Sequence, residues 1–291
     1  MHANTANPHL DALRGKRVAF IGCGVMGEAI ISTLLHEQLL TPDQIIGSEP
    51  YADRREELTE RYGVAMTGSN QDAIVGADTV MLTIKPQSLD NIFADLRGHL
   101  QPQQAVVSII AGATVERLRN GLRHEALVRS MPNTPAQIGQ GVTVWMPTRA
   151  VSEEGNAVVA ALLSAMGHAV RVDSEDAVDM ATALSGTGPA YIFLVMEALI
   201  DAGVHMGFPR RIAEELVLQT MLGSVMFAKE SGKHPAELRN MVTSPGGTTA
   251  AALYQMEKGS LRTVISRAVF AAYERTVALG QGNPGPIVPP E

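Results

Sequence analysis

The first half of the chain alternates short apolar runs with stretches that carry apolar residues at helical spacing. Runs of this length are typical of buried strands, and the stretches between them are long enough for helices. Strands that alternate with helices form a parallel sheet. The pattern therefore predicts an α/β domain built on a parallel sheet over residues 17–170. The runs are VAFI at 18–21, QIIGSE at 44–49, DTVMLTIK at 78–85 and QAVVSIIAG at 104–112.

From about residue 155 onward the strand pattern fades and the apolar spacing becomes helical. Glycine follows the ends of several of these stretches and Pro209 lies near the start of one, as expected at helix boundaries. We therefore predict a second, all-α domain over residues 171–280. The helical stretches cover residues 156–167, 176–186, 189–207, 210–232 and 262–280.

Two of these helices, with the sequences YIFLVMEALIDAGV and LVLQTMLGSVMFA, are apolar around nearly their whole circumference. A single small helical domain does not offer enough interior to cover both. Two interpretations stay open, a homo-oligomeric interface and a buried central helix. We expect the interface, with residues 190–228 pairing two chains as a dimer.

The chain ends and the single cysteine bear on where the protein works. Residues 1–16 lack the apolar core of a signal peptide, so we interpret them as a flexible leader. Residues 281–291 are rich in Gly and Pro and are predicted to be a disordered tail. The apolar run AYIFLVMEALI is short and contains Glu197, so we expect no membrane partner. Cys23 has no partner for an internal disulfide, which fits a reducing, cytoplasmic location.

Composition narrows the class of ligand. Of the 291 residues, 45% are apolar, enough for a sizeable core, and the formal net charge is −7. A nucleic-acid partner would require a basic stripe, so small molecules are the expected ligands. The eight histidines are scattered without the spacing of metal ligands, and no metal site is predicted.

A glycine cluster, IGCGVMGEA, follows the first apolar run and opens a helical stretch. The spacing G-x-G-x-x-G permits a tight turn, lets the backbone approach a pyrophosphate, and allows close packing of helix and strand. The free N–H groups at the helix start would hold the phosphates. This context predicts a Rossmann-type domain. The residues expected to hold the cofactor there are Gly22, Gly24, Val25, Met26 and Gly27, while Cys23 is interpreted as a small residue that fits the turn.

The end of the second strand bears on the choice between NADH and NADPH. Glu49, 22 residues beyond Gly27, stands where an acid binds the ribose hydroxyls, and this would favour NADH. Ser48, Arg54 and Arg55 are close enough in sequence to bind a 2′-phosphate instead. The arginines could equally be partners of carboxylates on a solvated helix, so the sequence leaves the choice open.

Two further segments follow predicted strands. Lys85 and Pro86 lie in TIKPQS, and Asn133 lies between two prolines in SMPNTPAQIGQG. Ligands of parallel sheets bind at the carboxyl ends of strands, so both segments could line the nicotinamide pocket. Each could also be a stiffened connector.

The stretch VTSPGGTTAAAL, residues 242–253, combines hydroxyls and paired glycines at the start of a helix and carries no charge. A helix N-terminus binds anions without a cation. An ordinary cap needs only one hydroxyl. We therefore interpret this stretch as the site of a small carboxylate, held by Ser244, Gly246, Gly247, Thr248 and Thr249.

Several ordered motifs together resemble pyrroline-5-carboxylate reductases along residues 17–280. They are IGCGVMGEA, IKPQ, MPNTPAQIGQG, LSGTGPAY at 184–191 and VTSPGGTTAAAL. The resemblance implies reduction of 1-pyrroline-5-carboxylate to proline with NADPH or NADH, a Rossmann domain, and a helical dimerisation domain whose dimers often assemble into a decamer. It also implies that the VTSPGGTTAAAL segment holds the substrate carboxylate and that Thr249 lies near the imine nitrogen. Glu49 departs from the family's frequent preference for NADPH.

Two rival functions are weighed against imine reduction. A β-hydroxyacid dehydrogenase of similar architecture needs a base beside the hydroxyl, commonly lysine, and the predicted helical domain contains no lysine before Lys229. A non-catalytic dinucleotide sensor would have no use for an anion-binding helix. Imine reduction needs no strong base, because the nitrogen itself accepts the proton.

Overall fold

The computed structural model describes the backbone of residues 8–282 and the side chains of residues 11–282. Its strands β1 to β8 are Val18–Ile21, Ile45–Ser48, Ala65–Thr67, Thr79–Leu82, Ala105–Ser108, Leu127–Met131, Gly141–Pro147 and Gly167–Arg171. Its helices α1 to α13 are Pro8–Leu13, Val25–His36, Ala52–Tyr62, Asn70–Ile74, Leu89–Leu96, Val115–Leu122, Glu153–Ser164, Glu175–Ala181, Gly188–His205, Arg210–Ser231, Pro235–Met241, Thr248–Lys258 and Leu261–Gly280. Short 3₁₀ turns cover Pro42–Gln44, Pro86–Ser88 and Thr134–Ile138, and a π-helical turn covers Thr182–Gly186.

Within the described residues the strands form one eight-stranded sheet in the order β3-β2-β1-β4-β5-β6-β7-β8. The first six strands are mutually parallel, in the order of a doubly wound dinucleotide-binding sheet. Strand β7 runs antiparallel to β6, and β8 runs parallel to β7. The predicted α/β Rossmann-type fold with a following helical domain is confirmed.

Both faces of the sheet are covered, which explains why its strands read as continuous apolar runs. Along β1, Val18 and Phe20 join the core on one face, and Ala19 and Ile21 join the core on the other. All four side chains are fully buried. The alternation follows from the two-residue period of a strand.

The chain divides into two compact units that differ from the predicted division at residue 170. Unit 1 comprises residues 1–187 and 272–291, and unit 2 comprises residues 188–271. Helix α8 stays with the sheet because Arg129, 2% exposed on β6, binds Glu175 at 2.8 Å and Asp179 at 2.6 Å. The Tyr273 hydroxyl, in the returning part of α13, donates to Asp176 on the same helix.

Strand β8 corrects the expectation that strands end near residue 155. It starts at Gly167 with a φ of +127°, and a Cβ there would lie 2.2 Å from the Gly141 carbonyl oxygen. The strand is short and pairs in register with β7. Its pairing with β7 depends on this close backbone approach. The spacing of apolar residues along the chain does not predict such a contact.

Helix α1 corrects the expectation that residues 1–16 form a flexible leader. Residues 8–13 form α1, and the Leu13 side chain is buried against the core. The Gln44 side-chain amide donates to the carbonyls of Leu13 at 3.3 Å and Lys16 at 2.8 Å, which fixes the link into β1. The rest of the predicted leader, residues 1–7, and residues 283–291 of the predicted tail lie outside the described residues.

Unit 2 is built of helices whose apolar side chains are widely exposed. Helices α9 and α10 pack against each other, yet many of their large apolar residues are half exposed or more. By length and composition alone, the continuous helical stretch Glu175–His205 could also cross a membrane, although this is weak evidence. Examples of the exposed residues on α9 and α10 are Phe193 at 57%, Leu194 at 66%, Leu222 at 56%, Val225 at 59% and Phe227 at 52%.

Candidate functional site

The glycine turn between β1 and α2 has the geometry that its sequence predicts. Gly22 adopts a φ of +86°, and a Cβ there would lie 2.5 Å from an Ile84 methyl carbon. A Cβ at Gly27 would lie 2.5 Å from the Gly22 carbonyl oxygen, so helix and strand pack at backbone distance. A Cβ at Gly24 would meet nothing within 4 Å. The second glycine therefore leaves open space where a bound phosphate could approach the backbone.

The first turn of α2 supplies the donors for such a phosphate. Gly24 is the N-cap, and it provides no side-chain cap. The first intrahelical bond runs from the Glu28 N–H to the Gly24 carbonyl at 2.9 Å. The N–H groups of Val25, Met26 and Gly27 precede that bond, and the first turn of a helix leaves such groups without helical partners. These residues fit a pyrophosphate.

A cleft of about 540 Å³ opens beside this turn. It brings together the predicted residues Gly22, Gly24, Ser48, Glu49 and Lys85. Its other lining residues are Ile21, Pro50, Tyr51, Gly68, Asn70, Thr83, Ile84, Ser88, Asn91, Ile92 and Asp95. The cleft lies at the carboxyl ends of β1, β2 and β4, where ligands of doubly wound sheets bind.

The predicted ribose acid, Glu49, lies in this cleft and is only 8% exposed. One of its carboxylate oxygens accepts a hydrogen bond from the Cys23 N–H at 3.1 Å. The Cys23 thiol is fully buried, and burial, together with the Glu49 carboxylate, raises its pKa to about 12. Cys23 is therefore an unreactive thiol that fills the turn, as interpreted from the sequence.

The two arginines after β2 are engaged with protein groups. Arg54 forms ion pairs with Glu28 and, at 2.6 Å, with Glu57. One Arg55 nitrogen donates to the carbonyls of Glu49 and Pro50, each at 2.8 Å. The interpretation of Arg54 as a partner of carboxylates is thus the one that the structure supports, and Arg55 stabilises the backbone at the cleft edge.

The two loop segments differ in position. Lys85 lines the cleft, and Pro86 begins the 3₁₀ turn that follows it. Asn133 is not among the residues that line the cleft. Its side-chain oxygen accepts from the Val142 N–H at 2.9 Å and so connects the loop to β7. A role for Asn133 or Pro86 in cofactor binding stays a prediction.

Sequence reasoning missed several polar residues of the cleft, of which Asn70, Thr83 and Asp95 form hydrogen bonds there. The Ser48 hydroxyl donates to the Asn70 side chain at 2.7 Å, and the Asn70 amide donates to Asp95 at 2.8 Å. The Thr83 hydroxyl donates to the Gly22 carbonyl. Thr83 stood inside a predicted strand and could have been proposed as a residue at its carboxyl end. Asn70 and Asp95 carry no local signal.

In unit 2, the VTSPGGTTAAAL segment forms a turn that enters α12. Gly246 adopts a φ of +71°, and the Gly247 N–H donates to the Ser244 carbonyl at 3.1 Å. Gly247 is the N-cap, without a side-chain cap, and Thr248 and Thr249 are the first two helical residues. No hydroxyl therefore caps this helix, which removes the ordinary capping explanation for its Ser and Thr residues.

Clusters of metal-binding side chains are absent from the part of the chain that the structure describes. No group of three or more His, Cys, Asp or Glu side chains there could hold an ion. The cleft and the turn before α12 instead present backbone N–H groups, hydroxyls and a few carboxylates.

The sheet, the glycine turn and the helical unit together define a dinucleotide-dependent oxidoreductase, and comparisons with known proteins give the family. A family profile described as pyrroline-5-carboxylate reductase dimerisation matches residues 175–279, and one described as coenzyme F420-dependent NADP oxidoreductase matches residues 17–112. The pyrroline-5-carboxylate reductase of Synechocystis sp. is 42% identical over 91% of this chain and 98% of its own length. That of Pseudomonas aeruginosa is 39% identical over 91% and 97%.

Solved structures agree. The pyrroline carboxylate reductase of Plasmodium falciparum, with NADP bound, superimposes with a TM-score of 0.84 at 29% identity, covering 92% of this chain and 99% of that one. The enzyme of Streptococcus pyogenes superimposes with a TM-score of 0.81 at 35% identity, covering 90% and 98%. The chain belongs to the pyrroline-5-carboxylate reductase family.

The glycine geometry yields a prediction with an internal control. Gly24→Ala should keep the melting temperature, because its φ of −71° suits alanine and its Cβ meets no atom. The added methyl would occupy the approach to the phosphates, so the Kd for reduced cofactor should rise at least roughly tenfold. Gly27→Ala should instead lower the melting temperature, because its Cβ would clash with the Gly22 carbonyl.

Thermal denaturation and fluorescence titration with NADH and NADPH measure both effects. Unchanged cofactor affinity in Gly24→Ala would contradict a phosphate site at this turn.

Proposed function

We propose that this protein reduces the imine of 1-pyrroline-5-carboxylate to L-proline with NADPH or NADH, the last step of proline biosynthesis. The observation that carries the proposal is identity of 42% to a pyrroline-5-carboxylate reductase along 91% of the chain. The chain also carries two features suited to this reaction, the glycine turn of unit 1 and the uncapped helix start of unit 2.

The cofactor binds through residues that the cleft brings together. The first turn of α2 holds the pyrophosphate with the N–H groups after Gly24. Glu49 and Ser48 stand at the ribose end, and Lys85 lies at the end of β4. When bound, the reduced nicotinamide supplies hydride to the imine carbon.

The turn before α12 is suited to a small carboxylate. Its Thr248 and Thr249 N–H groups lie at the positive end of a helix of 11 residues, whereas the Gly247 N–H donates to the Ser244 carbonyl. A carboxylate there is held by partial charges, without a lysine or arginine. No cation then stands beside an imine that must become protonated, so the iminium form is not repelled. We assign Thr249 to hydrogen bonding with the ring nitrogen and Ser244, Gly246, Gly247 and Thr248 to the carboxylate.

The rival activity as a β-hydroxyacid dehydrogenase lacks a base. Helix α9, GPAYIFLVMEALIDAGVH, contains no lysine, and Lys229 lies near the end of α10. The sensor alternative leaves the anion-binding turn without a use. Neither alternative is favoured by the relatives, which are pyrroline-5-carboxylate reductases by name.

Self-association accounts for the exposed apolar helices of unit 2. Residues 175–279 match a dimerisation profile, and Phe193, Leu222 and Phe227 on α9 and α10 are each more than half exposed. Burial of such side chains in a second copy stabilises a dimer through the hydrophobic effect. This self-association also explains the apolar composition of α9 without a membrane. We further propose a soluble, cytoplasmic protein whose dimers assemble into a decamer.

A spectrophotometric assay tests the activity. With 1-pyrroline-5-carboxylate, absorbance of the reduced nicotinamide should fall with at least one of NADH and NADPH, and proline should accumulate in equal amount. A matched reaction with a 3-hydroxy acid and oxidised cofactor should give no turnover. Turnover of the hydroxy acid without any of the imine would reject the proposed function.

Thr249→Val tests the substrate turn. Valine keeps the size of the side chain, so the fold and cofactor affinity should be unchanged. Loss of one or two hydrogen bonds to a charged group should lower kcat/KM by roughly ten- to a hundredfold. Thr248→Val, at the preceding and more exposed position, keeps the backbone N–H that we assign to the carboxylate, so it should cost much less. Near-wild-type kinetics in both variants would mean that the carboxylate binds elsewhere.

Multi-angle light scattering tests the assembly. The wild-type protein at micromolar concentration should have the mass of a dimer or of a multiple of dimers. Phe227→Glu, which places a charge on the apolar face, should reduce that mass, whereas Glu230→Gln on the same helix should leave it unchanged. A wild-type monomer would contradict the dimerisation surface.

A further inference from the structure

We propose that this chain selects NADH over NADPH, and that the selection depends on Glu49 together with a carboxylate pair, Glu28 and Glu57, that holds Arg54. The inference rests on the proposed function and extends it to the choice of cofactor. It concerns the ribose end of the cleft, at the end of β2.

Glu49 is held in place by contacts within the protein. Its side chain is 8% exposed, and one oxygen accepts from the Cys23 N–H at 3.1 Å. An acid at this position accepts hydrogen bonds from the ribose hydroxyls and repels a 2′-phosphate. Because the backbone bond fixes the carboxylate, it cannot swing away at low cost to admit the phosphate.

Arg54 is the cation that could offset this repulsion, and four of its five N–H donors are engaged with protein groups. One terminal nitrogen binds Glu57 at 2.6 Å, and the other binds Glu28. The second of these nitrogens and Nε also donate to the Cys23 carbonyl, at 3.3 and 3.4 Å. A 2′-phosphate would have to draw the guanidinium from two carboxylates.

Glu28 is the fixed centre of this network. Its side chain is 18% exposed and accepts from Arg61 at 2.7 Å and from the Tyr62 hydroxyl at 2.9 Å, besides Arg54. Burial by itself would raise the pKa of Glu28, but the hydrogen bonds from Arg54 and Tyr62 hold it below its usual value. Glu28 therefore stays ionised at neutral pH and keeps its ion pair with Arg54.

Ser48 and Arg55 are also engaged with protein groups. The Ser48 hydroxyl donates to Asn70, and Arg55 binds two backbone carbonyls. Among the residues that line the cleft, Glu49 and Asp95 are acidic and Lys85 is basic. This lining favours the cofactor that carries the smaller negative charge.

Equilibrium binding tests the inference separately from catalysis. Fluorescence titration gives the Kd of NADH and of NADPH, and the wild-type protein should bind NADH at least roughly tenfold more tightly, about the effect of one charge-assisted hydrogen bond. Glu49→Ser should lower the ratio of the NADPH Kd to the NADH Kd. Adding Glu28→Gln and Glu57→Gln to Glu49→Ser should lower the ratio by a further several-fold, because Arg54 is then released.

Two controls isolate Arg54. Arg54→Ala in the triple variant should return the ratio to that of Glu49→Ser alone. Glu56→Gln, which removes an equal charge from the same helix α3 outside the network, should leave the wild-type ratio unchanged. If the triple variant does not fold, Glu57→Gln with Glu49→Ser provides the milder release, because the Glu57 side chain is 43% exposed.

Wild-type binding of NADPH as tight as that of NADH would overturn the inference. So would a triple variant whose ratio equals that of Glu49→Ser. A protein that prefers NADH in binding but does not reduce 1-pyrroline-5-carboxylate would refute the proposed function and leave the selection intact.

Discussion

The close approach of α2 to β1 is the constraint on which unit 1 depends. Gly27 lies against the Gly22 carbonyl with no space for a Cβ, and the same carbonyl accepts from the Thr83 hydroxyl. The Gly22 N–H donates to the Ser48 carbonyl at 2.9 Å. The turn is thus bound to β2 on one side and to β4 on the other. These bonds fix the start of α2 at the mouth of the cleft, where its N–H groups can serve a phosphate.

Unit 2 depends on a different constraint, the cost of leaving apolar side chains in water. Only two residues of unit 2, Gly203 and Ala213, are buried, and they lie where α9 and α10 cross. A Cβ on Gly203 would lie 3.0 Å from the Ala213 Cβ, so small residues bring these helices together. The large side chains face away from this contact. A helix pair arranged in this way does not form its main core alone, and a second copy completes it.

Much of the fold and part of the site could be predicted because their signals are local. The strands β1, β2, β4 and β5 are short buried runs, and the glycine turn and Glu49 lie at fixed distances along the chain. The ends of α9, α10 and α13 are marked by glycine and proline, and the structure places them within a few residues of the prediction.

The rest depends on which segments the fold brings together. Asn70 and Asp95 are 25 residues apart and meet because α4 and α5 both flank the cleft. Strand β8 exists because Gly167 allows contact with Gly141, and α8 joins the sheet because a buried Arg129 needs carboxylates. The sequence does not distinguish a buried arginine from an exposed one, or a glycine in close backbone contact from one in an open loop. The partners of such residues are determined by the topology of the fold, and the spacing of apolar residues predicts that topology only in outline.

The partners of charged residues are likewise not predictable from sequence, and this affects the interpretation of cofactor choice. In sequence, Arg54 and Arg55 after β2 suggest a phosphate site as readily as Glu49 suggests a ribose site. An arginine contributes to ligand binding only if its donors are not already satisfied by carboxylates of the protein. Here Glu28, from the first turns of α2, reaches α3 and neutralises Arg54. The helix that we propose to bind the pyrophosphate therefore also supplies a carboxylate that pairs with Arg54. On the cofactor selection proposed above, one short segment, Gly24 to Glu28, both binds a dinucleotide and disfavours its phosphorylated form.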